Sequence, residues 1–165
     1  MKQRDIVEIV DMTPELLDRL CARKFRDSDE TACLATTGES VAKKLREGFK
    51  LSQRFCKCFL LNGGPVIALG VATESALSAK GAPWLVACPE LDTNAELRNT
   101  LRKHSRPIRD AMLSVFSRLE NHEDVQDTVG MKWMRWLGFI FDAPKPYGLG
   151  GRLYSLCYLT REGAK

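Results

Sequence analysis

Residues 119–139 read LENHEDVQDTVGMKWMRWLGF. The stretch predicts a short strand, a short helix and a helix stop at Gly138-Phe139. Val129, Trp133 and Leu137 recur at i, i+4 and i+8, one face of a helical period, and Trp136 widens that face. Thr128 can cap the start, because its hydroxyl can accept an unpaired backbone N–H of the first turn. Gly138 suits the left-handed residue that closes a helix. Met131, Trp133, Met134 and Trp136 make this the run richest in aromatic rings and sulfur. Taken alone, it reads as a core helix.

The 165 residues predict one domain, long enough to bury a core without staples. With 44% hydrophobic and 28% charged residues, the composition is that of an ordinary globular protein. No apolar run approaches the ~18 residues of a membrane span. The opening MKQRD leads into a strand and not into a signal region, so a cytoplasmic location is expected. The net charge of +4 permits an acidic partner without demanding one. Six cysteines are scattered at positions 21, 33, 56, 58, 88 and 157, with no Cys-x-x-Cys pair and only His104 and His122 as histidines. No metal site is expected from that spacing, and no disulfide set without a signal segment. Cys56 and Cys58 fall on one face of a strand and read as buried thiols.

Along the chain, residues 5–11 predict a first strand. Thr13-Pro14-Glu15 predicts a helix start, with a capping hydroxyl, a proline at the first helical position and an acid on the positive end of the dipole. Residues 25–38 lack a clear period and read as a loop. Val41, Leu45 and Phe49 define a second amphipathic helix over 39–52. Residues 55–61 and 66–72 are strands joined by Asn62-Gly63-Gly64, which supplies the positive-φ residues of a tight hairpin. Pro65 fits only a strand start or edge, and Gly70 suggests a bulge. Residues 83–88, apolar on both faces, predict a central strand. Residues 95–118 predict a helix in two pieces, broken near Ser105-Arg106 because Pro107 removes a backbone donor. After the opening stretch come a strand at 139–142, a loop at 143–151 and a last strand at 152–159.

This order, β-α-α-β-β-β-α-β-α-β-β, resembles the Gcn5-related N-acetyltransferase (GNAT) fold, as does the aromatic helix ending in Trp136-Leu137-Gly138-Phe139. Residues from about 55 to 160 further resemble GNAT-like internal virion proteins of short-tailed phages. The matching features are the Asn62-Gly63-Gly64-Pro65 hairpin, Pro83-Trp84-Leu85-Val86 before the main helix, and the interval from Asn121 to Gly138. The resemblance implies an α+β, three-layer architecture, with a mixed sheet of about six or seven strands flanked by about four helices. It also implies acetyl-CoA as donor, an amine of a protein or small molecule as acceptor, and a place in the host cytoplasm or the virion interior.

Against that pattern the residues are uneven. The family's glycine-rich diphosphate loop corresponds to residues 89–97, PELDTNAEL, which contain no glycine and carry Glu90, Asp92 and Glu96. Glycines let amides approach phosphates, and carboxylates repel them. Thr93, Asn94 and Arg98 are the remaining candidates for holding the cofactor, although Thr93 and Asn94 also read as helix caps. The resemblance assigns thioester hydrogen bonds to the backbone of Val86, Ala87 and Cys88. Cys88 is either a reactive thiol before a helix N-terminus or a buried one. Met134 stands at the family's tyrosine general acid, and Asp127 where asparagine is common. Tyr147, Tyr154 and Tyr158 are alternative acids, with Tyr154 the candidate retained. Glu74 and His122 are candidate bases.

Three function classes follow: an acetyl-CoA-dependent N-acetyltransferase, a catalytically degenerate GNAT scaffold that binds virion or host proteins, and a weak nucleic-acid binder. The last rests only on Arg98, Arg102, Lys103, His104, Arg106 and Arg109, and no aromatic residue interleaves them. On the main helix they read as a solvated face.

Overall fold

The computed structural model describes residues 3–164. In chain order the elements are β1 (Val7–Asp11), α1 (Pro14–Cys21), α2 (Asp27–Thr37), α3 (Val41–Leu51), β2 (Cys56–Leu61), β3 (Gly64–Ala72) and β4 (Lys80–Ala87). Then follow α4 (Glu90–Thr93), α5 (Ala95–Val115), β5 (Arg118–Asp124), α6 (Thr128–Trp136), β6 (Ile140–Phe141), β7 (Lys145–Tyr147) and β8 (Arg152–Thr160). The architecture is the expected α+β type. The counts exceed the expected ones by β7, α2 and α4.

The local causes are visible in the residues. Thr13 caps α1 by accepting the Leu16 N–H at 3.2 Å, with Pro14 at the first helical position. Asn62 and Gly63 adopt φ of 51° and 82° and turn the β2–β3 hairpin. The bulge falls between Phe59 and Leu60 against Pro65 and not at Gly70. Gly70 instead makes room for an indole, since a Cβ there would lie 2.7 Å from Trp84.

Residues 25–38 are not a loop. Asp27, Asp29 and Glu30 stand in the first turn of α2, on the positive end of its dipole, and Gly38 at φ 72° closes it. No apolar period betrayed this helix because none of its residues is fully buried. Nor does α5 break: Pro107 lies inside a continuous helix. The carbonyl it leaves without a donor belongs to Lys103, and both residues face solvent, where water can satisfy it.

The sheet runs β1-β2-β3-β4-β5-β8-β6, with β7 continuing the same edge of β8 beyond β6. All its pairings are antiparallel except β4 with β5, which is parallel and covers only Lys80↔Arg118 and Gly81↔Leu119. Beyond Gly81 the two strands separate. Pro83 gives one reason. Its carbonyl points toward β5, where it accepts from Asn121, but it has no N–H to offer the same neighbour.

The core lies on both faces of the sheet, around Phe59, Ile67, Val71, Leu97, Phe116, Leu119 and Leu159. Helix α6 contributes less than its pattern promised. Val129 is 78% exposed and Trp136 40%, while Trp133, Met134 and Leu137 pack inward. Its cap is Asp127, which accepts the Gly130 N–H at 2.9 Å, and not Thr128.

Candidate functional site

The gap between β4 and β5 is the natural place for a ligand in this architecture, because two strands there leave main-chain groups unpaired. Successive residues of β4 face opposite edges. Cys88 donates its N–H to Val66 on β3 at 2.8 Å, and Val86 shares that orientation. Only Pro83, Leu85 and Ala87 face the gap. Of the three expected thioester contacts, therefore, Ala87 alone points the required way.

Ala87 is already engaged. Asp29 Oδ2 accepts its N–H at 2.9 Å, and its carbonyl accepts the Arg26 N–H at 2.9 Å. The Arg26 guanidinium grips Asp29 at 2.9 Å and reaches Asp92 at 3.5 Å. At the near end of the gap, Asn121 Nδ2 donates to Pro83 O at 2.7 Å. Asn121 of β5 thus bridges the gap at one end, and residues at the start of α2 satisfy the gap-facing groups of Ala87 at the other.

The resemblance places the diphosphate of an acyl-CoA at the stretch between β4 and α5. Its amides are turned inward. Leu91 N donates to Cys88 O, Asp92 N to Pro89 O, and Asn94 N to Glu90 O, at 2.8–3.1 Å. Asn94 caps α5 by accepting the Leu97 N–H at 2.9 Å, and its Nδ2 donates to Asp5 at 2.8 Å. Thr93 is the last residue of α4 and exposed. Arg98 folds back onto Asp92 O at 2.6 Å. Glu90 pairs with Arg23, and Glu96 with Arg4 at 3.7 Å. A phosphate here would meet the carboxylates of Glu90, Asp92 and Glu96 and find the amides of Leu91, Asp92, Asn94 and Leu97 already bonded, so these residues do not fit the group.

Two clusters line the C-terminal half of β5. On the face toward α6, Glu123 is half-buried beside Asp127 and Gly130. Burial, the Asp127 charge with its hydrogen bond, and Asp124 push the Glu123 carboxyl up to about 8. On the other face, His122 stacks on Tyr147 with ring centroids 3.9 Å apart, and Tyr147 lies 5.5 Å from Tyr154. Tyr154 is buried, and its hydroxyl hydrogen-bonds Thr36 of α2 at 2.8 Å. Asp124 is tied to Arg152 at 2.6 Å.

The structure therefore brings His122 and Tyr154 together and leaves Glu74 out. Glu74 is exposed just after β3, at the end of the sheet where β4 begins, away from the gap. Cys88 is fully buried, and burial pushes its thiol up to about 11, the opposite of what a reactive thiolate needs. Met134 packs on the core and its carbonyl accepts the Phe139 N–H. Sequence reasoning missed Arg26 and Asp29. Their only signal was an Arg-x-x-Asp spacing in a segment without periodicity. The basic run of α5 is partly consumed: Arg109 donates to Leu137 O at 2.7 Å, and Arg106 covers the Trp136 ring. Among the described residues no helix is long and apolar enough to cross a membrane. None of their His, Cys, Asp and Glu groups is arranged to hold a metal ion.

No family model matches the chain, and no curated protein does. Solved structures do. Ribosomal-protein-S5-alanine acetyltransferase from Vibrio fischeri superposes with a TM-score of 0.67 at 11% identity, over 96% of this chain and 95% of that one. Spermidine N-acetyltransferase from Vibrio cholerae, solved with CoA and spermine, gives 0.65 at 8% identity, over 96% and 97%. A GNAT-family acetyltransferase from Streptococcus pneumoniae gives 0.61 at 14% identity, over 94% and 99%. Likeness at such identities establishes the fold: the chain has the GNAT fold.

Proposed function

We propose that this chain uses the GNAT fold as a binding scaffold and not as an acyl-CoA-dependent transferase. One observation carries the reading. Between β4 and α5, where a diphosphate would have to be held, the amides of Leu91, Asp92, Asn94 and Leu97 are internally bonded, and Glu90, Asp92 and Glu96 surround them. Fold alone does not carry activity. The partner is a protein of a phage virion or of its host, a reading supported by the resemblance of residues from about 55 to 160 to phage internal virion proteins. Its place of work is then the virion interior or the host cytoplasm. The exposed Leu149 and Leu153, in and beside the β7–β8 turn, suit such a contact.

The second reading is an N-acetyltransferase acting on an amine. It is favoured by the Glu123 carboxyl, whose affinity for a proton near neutral pH suits acid–base work, and by the fold shared with acetyltransferases. Calorimetric titration of CoA and acetyl-CoA into the protein separates the two. The expected result is no heat and no rise in Tm at millimolar ligand. Micromolar binding would sink the scaffold reading and put the transferase first. Weak nucleic-acid binding is a third, less favoured reading, checked by a salt-dependent gel shift.

A further inference from the structure

Helix α2 is held in an unusual way. None of its residues is fully buried, so it owes little to the core. Directional bonds hold it instead. At its start are the Arg26 and Asp29 bonds to Ala87 and the Arg26–Asp92 pair. In the same first turn, Glu30 Oε2 accepts the Val41 N–H at 3.2 Å. At its end, the Thr36 and Ala35 carbonyls accept the N–H groups of Leu149 and Gly150 at 3.2 Å each, and Thr36 meets Tyr154. The segment is bounded by Phe25, which is 2% exposed and anchored in the core, and by Gly38, whose left-handed φ of 72° ends the helix.

We propose that α2 is a lid, latched by its own Arg26 and Asp29 onto the edge of β4, that opens as a unit while the core stays intact. A segment secured by hydrogen bonds at its ends and not by apolar burial belongs to the low-stability part of a fold, which opens locally. Phe25 and Gly38 are the fixed points between which it moves. Opening uncovers two things together: the N–H of Ala87, a main-chain donor that faces the gap, and the Tyr154 hydroxyl beside the His122–Tyr147 stack. The lid goes beyond the scaffold reading and does not depend on it, since the latch exists whether or not CoA binds.

Residue-resolved amide hydrogen exchange on the intact protein tests it. The expected result is that the amides of α2 and of Ala87 exchange together, about tenfold or more faster than Ile67 and Leu69 in β3. Asp29→Ala is expected to speed exchange at Ala87 by about tenfold, the worth of one charge-assisted hydrogen bond, and to leave β3 unchanged. Asp29→Asn, which keeps an acceptor, should restore part of the protection. Thr36→Val, which removes the contact with Tyr154, should speed α2 in the same way from its other end. The proposal fails if α2 and Ala87 exchange at the rate of β3. It fails equally if Asp29→Ala leaves Ala87 protected, or if that variant does not fold, because α2 would then be part of the core structure. CoA binding does not enter any of these readouts, so the lid and the scaffold reading stand or fall separately.

Discussion

At Glu123 a half-buried carboxyl lies beside that of Asp127, with Asp124 next in the chain. The Glu123 carboxyl is raised from 4.5 to about 8, chiefly by burial, so the folded state holds a proton that the unfolded chain gives up above the ordinary carboxylate range. The unfolded state binds fewer protons between those values, and stability therefore falls as pH rises from about 4.5 through about 8. Thermal melts across that window should show a falling Tm, and Glu123→Gln should flatten the profile. A pH-independent wild-type Tm there would contradict the assignment. Gly130 completes the same cluster. A Cβ at that position would strike the Asp127 carboxylate and come within 2.9 Å of Glu123 Oε1. Gly130→Ala should therefore cost roughly 1–3 kcal/mol in urea denaturation, as overpacking does. The thiols form a further residue-scale test. Burial raises Cys56 and Cys58 to about 12 and Cys88 and Cys157 to about 11. A thiol reagent at pH 8 should label these four slowly in the folded protein and label all six cysteines after unfolding.

Among the elements, α5 and α2 depart most from expectation, for opposite reasons. Helix α5 carries a proline that its packing overrides. Leu97, Met112 and Leu113 are buried along its length, and the face bearing Pro107 is wet. The lost hydrogen bond at Lys103 is left to solvent. Replacing Pro107 by Ala should raise stability by about 1–3 kcal/mol, since the helix is already formed and regains a donor. A loss of stability would show that the ring itself packs usefully. Helix α2 has no apolar pattern to override. It exists because acids fill its first turn and because Ala87, Val41 and Tyr154 offer partners that lie 11 to 118 residues away in sequence. Helix α6 lies between these cases: its apolar residues were evident, but the side that faces inward was set by the β5 strand on which it lies.

On the scale of the whole molecule, the parting of β4 and β5 after Gly81 decides what the fold can do. Pro83 withholds a donor, Asn121 bridges to its carbonyl, and Asp29 takes the N–H of Ala87. A ligand with a dissociation constant one hundredth of its concentration would stabilise the fold by about 2.7 kcal/mol. The absence of any such shift with CoA is the whole-molecule expectation of the scaffold reading.

Elements with strong local signals were legible in the residues alone: the Thr13 cap, the Asn62-Gly63 hairpin, the central apolar strand and the helix ending at Gly138. It also showed that residues 89–97 lack the glycines a diphosphate cradle needs. These are local facts, set by side-chain size, backbone freedom and hydrophobic period within a few residues. Contacts between distant segments set the rest: Ala87 faces the gap while Val86 and Cys88 face β3, Asp29 and Arg26 bond Ala87, and the Glu123 carboxyl is raised beside Asp127. The reason is physical. Strand alternation, burial and charge pairing between distant segments depend on which chains become neighbours, and no spacing along one segment contains that information.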